Sequence, residues 1–351
     1  MSNKINIPLE SLQDHSISNV FDSSFTYLSD VRKVFGKKIM FCNREGSELK
    51  PIVSLSVSHI PLHVESFDQI EEVCNIASVD SSCISIGETE DGAIYSVKSG
   101  VSMYNGSRPK SYQIYGPYVV YVDEEVIRQI YKSHPLKEKL VKLVTLDHNY
   151  AKNLVRVIVE RDILKYLALN LNKSIVLVDG SLKSSIFEVD GCTLKEILKL
   201  SKEKNNMLLG ISKSSKLKFI RRVASYLEIL NYAPVKVDVH HVVDNLISRL
   251  EGHIFVAKFK KHGFAFRVDV PYDSILEVDE LLGRVLWNDA FRHGYPESLV
   301  MAHNLSTFNY VEQICVKSAL TRSLNITEVP ANNLRVALLG GLKFQGGAAA
   351  R

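Results

Sequence analysis

Three β-rich runs in close succession, Ile76–Ile86, Ala93–Met103 and Tyr112–Val122, constrain the fold more than any other feature of this chain. The first two are separated by GETEDG, whose Asp-Gly pair supplies turn chemistry, so the three runs predict an antiparallel meander. After Pro135 the apolar period lengthens, and Asn149–Leu171 reads as a long helix. The short run Ile175–Val178 that follows is apolar on both faces and stops at Asp179-Gly180-Ser181, the pattern of a buried central strand. Strands first paired as a meander, then a helix, then a buried strand call for an α/β fold: a mixed central sheet that begins with the meander and is flanked by helices.

Further along, the patterns predict helices at Leu194–Lys204, Leu217–Leu230 and His241–Leu250, and strands at Met207–Ile211, Ile254–Lys258 and Ala265–Val270. Two helices, Asp273–Arg292 and Pro296–Leu320, close the pattern. Residues 1–70 read as a mixed leader, with a helical pattern at Phe25–Phe35 and β-like pieces at Lys38–Cys42 and Ile52–Val57. Its apolar residues, like those of Leu334–Phe344, suit either assembly or the core. The division expected is a leader over 1–70, one elaborated domain over 71–345 and a bland tail, GGAAAR, over 346–351.

Composition narrows the function classes. With 46% hydrophobic and 23% charged residues, the 351-residue chain has the make-up of a soluble globular protein. Its 43 basic and 39 acidic side chains leave +4, which excludes a polycation but not a nucleic-acid partner, since local clusters set the binding field. Five cysteines without a CxxC pair suggest neither a disulfide framework nor a zinc ribbon, and fit a reducing cytoplasm. The N-terminus has no apolar signal region, and no run reaches the length of a membrane span. There is no phosphate-binding P-loop and no G-x-S-x-G elbow. The adjacent His240 and His241 point in different directions on either a helix or a strand, which disfavours a zinc site there.

Three acidic residues stand out. Glu160 falls in the stripe Val157, Glu160, Leu164, Leu167, Leu171, where a carboxylate needs a cation, a metal or several donors. A salt bridge to Arg156 or Lys165 would also satisfy it. Asp162 competes with it, but shares a mixed face with Ile158, Lys165 and Tyr166. Asp179 ends the buried strand, where ligands collect in open α/β sheets, although Asp-Gly is also ordinary turn chemistry. Asp80 lies between small residues in Val79-Asp80-Ser81-Ser82, with room for an ion or simply an exposed strand position. If they converge, such carboxylates would make a hard-oxygen site for Mg²⁺ or Mn²⁺. In Gly294-Tyr295-Pro296-Glu297-Ser298-Leu299-Val300-Met301-Ala302-His303, Pro296 suits a first helical turn, and His303 shares a face with Leu299, Ala302 and Ser306.

Taken in order, Val79–Ser82, the helical Glu160, IVLVDGSL (Ile175–Leu182), LLGISKSS (Leu208–Ser215), RVDVP (Arg267–Pro271) and GYPESLVMAH (Gly294–His303) resemble the NurA nucleases. The resemblance covers roughly residues 70–320. It departs at Asp80-Ser81-Ser82, where the family commonly has Asp-Gly-Ser. It implies an RNase H-like fold and a Mn²⁺-dependent (or Mg²⁺-dependent) DNA nuclease, both single-strand endonuclease and 5′-to-3′ exonuclease. The implied setting is DNA end resection and recombinational repair, as a homodimer with the HerA hexameric ATPase and functionally with Mre11–Rad50. Carried over by motif, Asp80, Glu160 and Asp179 form the acidic metal site, and Tyr295 and His303 complete the active site, His303 either as a further metal ligand or as a general acid/base. Lys213, Lys216 and Arg267 are the candidate DNA contacts. Two other readings fit less well: another RNase H-like phosphoryl-transfer enzyme such as a junction resolvase, and a non-catalytic DNA-clamping partner of an ATPase.

Overall fold

The computed structural model describes residues 40–41 and 62–324. Its strands are β1 (Met40–Phe41), β2 (Glu65–Ser66), β3 (Asn75–Glu88), β4 (Gly92–Asn105), β5 (Arg108–Asp123), β6 (Ser174–Asp179), β7 (Met207–Ser212), β8 (Val235–Asp238), β9 (Gly252–Lys258), β10 (Ala265–Pro271), β11 (Phe291–Arg292) and β12 (Tyr295–Pro296). The helices are α1 (Glu124–Ile130), α2 (Lys137–Leu146), α3 (His148–Asn170), α4 (Leu194–Glu203), α5 (Lys218–Ile229), α6 (His240–Val243), α7 (Val278–Asn288), α8 (Glu297–Ser306) and α9 (Tyr310–Ser323).

The expected meander is present. β3, β4 and β5 pair antiparallel, and the β4–β5 turn takes positive φ at both Gly106 and Ser107, as a two-residue hairpin turn requires. β6 then adds to β3 in parallel and β7 adds to β6 in parallel. The main sheet runs β2-β8-β9-β10-β7-β6-β3-β4-β5, with β1 also paired to β3. Its β5-β4-β3-β6-β7 half, three antiparallel strands followed by two parallel ones reached through helices, is the RNase H-like arrangement. Among the described residues no helix is long and apolar enough to cross a membrane.

Two faces of this sheet are buried, which explains the near-continuous apolar runs. Ala77, Val79, Val176 and Val178 pack with α3 on one face. Ile76, Ile175, Leu177, Leu209 and Ile211 pack with Leu281, Leu282 and Val285 of α7 and Leu299 of α8 on the other. Since strand side chains alternate, Asp80 and Asp179 belong to the second face, the one under α8.

Three boundaries differ from the sequence expectation. The last long helix is two: α8 ends at Ser306, and Asn309 opens α9 with a capping box closed by Glu312. The helix expected at His241–Leu250 stops at Val243, because residues 249–251 are drawn out to hydrogen-bond the loop after β6. The helix expected at Asp273–Arg292 is confined to α7. The leader pieces at Phe25–Phe35 and Ile52–Val57, the Leu334–Phe344 segment and the 346–351 tail lie outside the described residues.

Candidate metal centre

Pairing of Val79 with Val178 in the parallel β3–β6 ladder brings the next residues, Asp80 and Asp179, side by side at the end of that ladder. On its other side Asp80 is paired with Gly100 of β4. A Cβ at Gly100 would lie 2.4 Å from the Ala302 carbonyl oxygen and 2.6 Å from Leu305 Cβ, so only glycine lets α8 settle directly over Asp80. The close approach brings His303 Nδ1 to 2.7 Å from Asp80 Oδ2, and Ser306 Oγ donates to the same oxygen at 3.0 Å. One ligand atom each of Asp80, Asp179 and His303 then lie within 4.8 Å of one another.

The start of α8 is fixed by a buried polar hub. Ser298 Oγ bonds Ser78 Oγ at 2.6 Å, and Ser102 Oγ donates to the Ser298 carbonyl at 2.5 Å. Asp289 accepts from Ser298 N at 3.1 Å and from Ser298 Oγ. Burial pushes the Asp289 carboxyl up to about 7, against the pull of the Ser298 bonds. Ser78 lies two residues before Asp80, so the hub ties His303's helix to the strand that carries its partner.

Asp179 is held from both sides. Tyr295 donates its hydroxyl to Asp179 Oδ1 at 3.0 Å, and Lys213 Nζ lies 2.6 Å from Oδ2 and 5.5 Å from the Tyr295 ring centroid. Burial first, then the charges of Asp179 and Asp80, pushes the Tyr295 phenol far above its usual range, so it acts as a donor and not as a base. The turn behind Asp179 is built as the Asp-Gly-Ser pattern predicts, with Gly180 at φ +144. Leu182 N donates to Asp269 at 3.0 Å, and a Cβ at Gly210 would come within 2.7 Å of the Gly180 carbonyl oxygen.

The donor set suits a divalent ion. Two carboxylate oxygens and one imidazole nitrogen match the hard to borderline ligands that Mg²⁺ and Mn²⁺ accept. Octahedral bonds of about 2.1 Å place ligand atoms about 3–4 Å apart, so only a small contraction of the observed cluster is needed.

Asp80, Asp179, Tyr295 and His303 are therefore brought together, and Glu160 is not among them. From Val157 to Leu164 every residue of α3 is buried, so the stripe that singled out Glu160 does not distinguish one face. α3 packs on the sheet face opposite α8, and the Glu160 carboxylate, 6% exposed, is bound by Arg156 at 2.8 Å and Arg161 at 3.2 Å. Asp162 accepts from Cys192 Sγ at 3.2 Å. Of the bases expected to meet DNA, Lys213 sits on Asp179 and Lys216 is exposed. Arg267, its side chain 9% exposed, forks onto the buried Asp269 at 2.6 and 2.7 Å. Sequence reading missed Gly100, Gly210 and the Ser298–Asp289 hub, and placed Ser306 on the face of His303 without giving it a role. A glycine in the middle of an apolar strand was the one available signal.

A family model described as the NurA domain matches residues 74–308. Among solved structures, the NurA nuclease from Sulfolobus solfataricus is 14% identical over 75% of this chain and 87% of that one, with a TM-score of 0.46. A second NurA crystal structure is 12% identical over 79% and 92%, TM-score 0.42. A third, bound to dAMP and manganese, is 11% identical over 74% and 89%, TM-score 0.38. No curated protein sequence matches the chain. The family match runs from just before the first meander strand to just past the helix that carries His303, well over half of the sequence, and the chain belongs to the NurA family.

Proposed function

We propose that this protein is a divalent-metal-dependent nuclease that hydrolyses phosphodiester bonds in DNA. The observation that carries the proposal is the convergence of Asp80, Asp179 and His303, from two strands and a helix far apart in sequence, on one small volume. Those three residues hold the ion, which is Mn²⁺ by family resemblance, with Mg²⁺ as the chemically closest substitute. Bound there, the ion lowers the pKa of an attacking water and offsets charge on the scissile phosphate.

The protein groups have separable tasks. Tyr295, kept protonated by burial, orients Asp179 through one oxygen. Lys213 neutralises Asp179 through the other at 2.6 Å, and an ion bound by Asp179 would leave the ammonium available to a phosphate. Ser306 and the Ser81 backbone N–H fix the Asp80 carboxylate, with Ser81 N at 2.8 Å from Oδ1. His303, its side chain 49% exposed, lies where substrate can reach it. Family membership supports the finer reading: single-strand endonuclease and 5′-to-3′ exonuclease activity in DNA end resection, as a homodimer with a HerA-type ATPase in the cytoplasm. The same membership underlies a functional link to Mre11–Rad50.

The deciding experiment is cleavage of end-labelled single- and double-stranded DNA across a Mn²⁺ titration. Asp80→Ala and Asp179→Ala should abolish Mn²⁺-dependent cleavage in folded protein. Full activity in either variant would end the proposal.

A further inference from the structure

The helix that carries His303 is fixed at its start by the Ser298–Asp289 hub and at its end by a buried lysine. Lys98 of β4 is paired with Ser82, two places along from the Asp80–Gly100 pair, so it projects from the same sheet face as Asp80, the face that α8 covers. Only 3% of the residue is exposed. Its Nζ donates to the Thr307 carbonyl at 3.0 Å and to both carboxylate oxygens of Glu312, at 2.8 and 3.0 Å, which engages the three donors of an ammonium. The same Nζ lies 5.2 Å from the Phe308 ring centroid.

Each partner of Lys98 sits at a helix end. Thr307 is the C-cap of α8, and its carbonyl is one of those a helix leaves without an internal partner. Glu312 lies in the first turn of α9, where it also accepts from Asn309 N at 2.9 Å. The ammonium therefore meets the negative end of α8 and a carboxylate that itself suits the positive end of α9. One turn back, the His303 carbonyl accepts from Thr307 N at 2.9 Å and from Thr307 Oγ1 at 2.8 Å. The residue that Lys98 holds is thus bonded to His303 and follows Ser306, the two side chains of α8 that reach Asp80. Burying an ammonium is costly, and an apolar side chain of similar volume often packs as well. What the charge adds here is a hold on the end of α8. Gly100, on the same face, lets the helix come close, and Lys98 keeps it there.

We infer that Lys98 is a positioning residue for the metal centre: by clamping the junction of α8 and α9 to β4, it holds His303 and Ser306 against Asp80 and so sets the affinity of the site for its ion. The inference rests on the nuclease reading above for the ion and the reaction. Lys98 itself touches neither Asp80 nor Asp179, and acts only through the helix end.

The test compares Lys98→Met, Glu312→Gln and the double variant with the wild type. Lys98→Met removes the ammonium with little change of volume, and both stranded partners can hydrate, since Thr307 is exposed and the Glu312 side chain is 34% exposed. Glu312→Gln alone leaves a buried ammonium without its counter-charge and should unfold at the lowest temperature of the set, and the double variant should recover most of that loss. Mn²⁺ affinity is read from the electron paramagnetic resonance signal of free Mn²⁺ with no DNA present. Amide exchange of α8 is read by mass spectrometry on metal-free protein. Lys98→Met and the double variant should both bind Mn²⁺ about tenfold more weakly and lose about tenfold in kcat at saturating Mn²⁺, as when a group behind a metal ligand is removed. The last turn of α8 should exchange faster in both, and KM for DNA should not change. A merely structural role predicts that the double variant regains Mn²⁺ affinity and kcat together with its stability. That recovery, or wild-type Mn²⁺ affinity and α8 exchange in Lys98→Met, overturns the clamp. Should Lys98→Met not fold, the double variant carries the same comparison. Weaker Mn²⁺ binding by the variants, beside a wild type that binds Mn²⁺ but does not cleave DNA, supports the clamp and overturns the nuclease reading instead.

Discussion

Replacing Gly100 with alanine tests whether the approach of α8 makes the site. The new Cβ would meet the Ala302 carbonyl oxygen at 2.4 Å, Leu305 Cβ at 2.6 Å and Ser306 N at 3.0 Å. Two of these are backbone atoms and cannot swing aside. Relaxed contact of about 3.5 Å requires α8 to lift by about 1 Å. The His303–Asp80 distance of 2.7 Å and the Ser306–Asp80 distance of 3.0 Å then both pass beyond hydrogen-bonding range. Overpacking of this kind costs about 1–3 kcal/mol, a fall in Tm of several degrees. A 1 Å misplacement costs activity about 100-fold. The metal arm is independent of any activity assay. If the loosened site binds Mn²⁺ tenfold more weakly, the stabilisation given by saturating Mn²⁺ falls by about 1.4 kcal/mol. The measurements are urea unfolding with and without Mn²⁺ and cleavage of labelled single-stranded DNA. A Gly100→Ala protein with wild-type stability, Mn²⁺ response and cleavage would refute the packing account.

Glu160→Gln should lower stability by about 1–2 kcal/mol, since the buried Arg161 loses the charge of one partner at 3.2 Å but keeps Glu188 at 2.9 Å, while folded protein still cleaves; a stable but inactive variant would instead put Glu160 in the metal site. Tyr295→Phe should keep the fold, because the ring still packs 4.9 Å from Phe266, and lower kcat about 10- to 100-fold through loss of the bond to Asp179; unchanged kcat would remove Tyr295 from the catalytic set. Asp289 has a pH signature. Its folded pKa of about 7 lies above the ordinary aspartate value of 3.8, so the folded state holds a proton that the unfolded state has lost between those values, and stability falls as pH rises through that window. At about 1.4 kcal/mol per unit the fall is on the order of 4 kcal/mol. Asp289→Asn should remove it, and a variant whose urea-unfolding profile from pH 4 to 7 parallels the wild type would contradict the buried-acid assignment.

The sequence alone determined the order of elements and most of the chemistry. Alternation over Ile76–Val122, the long period of Asn149–Leu171 and the doubly apolar IVLV run each follow from local geometry, and each strand or helix formed where its period placed it. Asp179 stood out as a carboxylate at the end of a buried strand, but its Asp-Gly pair is equally ordinary turn chemistry, and the site reading needed the neighbours that the fold supplies. His303 was legible because Pro296 sets the phase of its helix. What local periodicity does not contain is which face of a sheet a helix will cover. Glu160 read as an acid in an apolar stripe and Asp80 as one among small residues, yet α3 and α8 lie on opposite faces, so one became the partner of Arg156 and Arg161 and the other a neighbour of Asp179 and His303. Tertiary structure also decided the roles of Gly100 and Arg267. A missing side chain or a free cation acquires meaning only from what packs against it: for Gly100 the backbone of α8, and for Arg267 the buried Asp269.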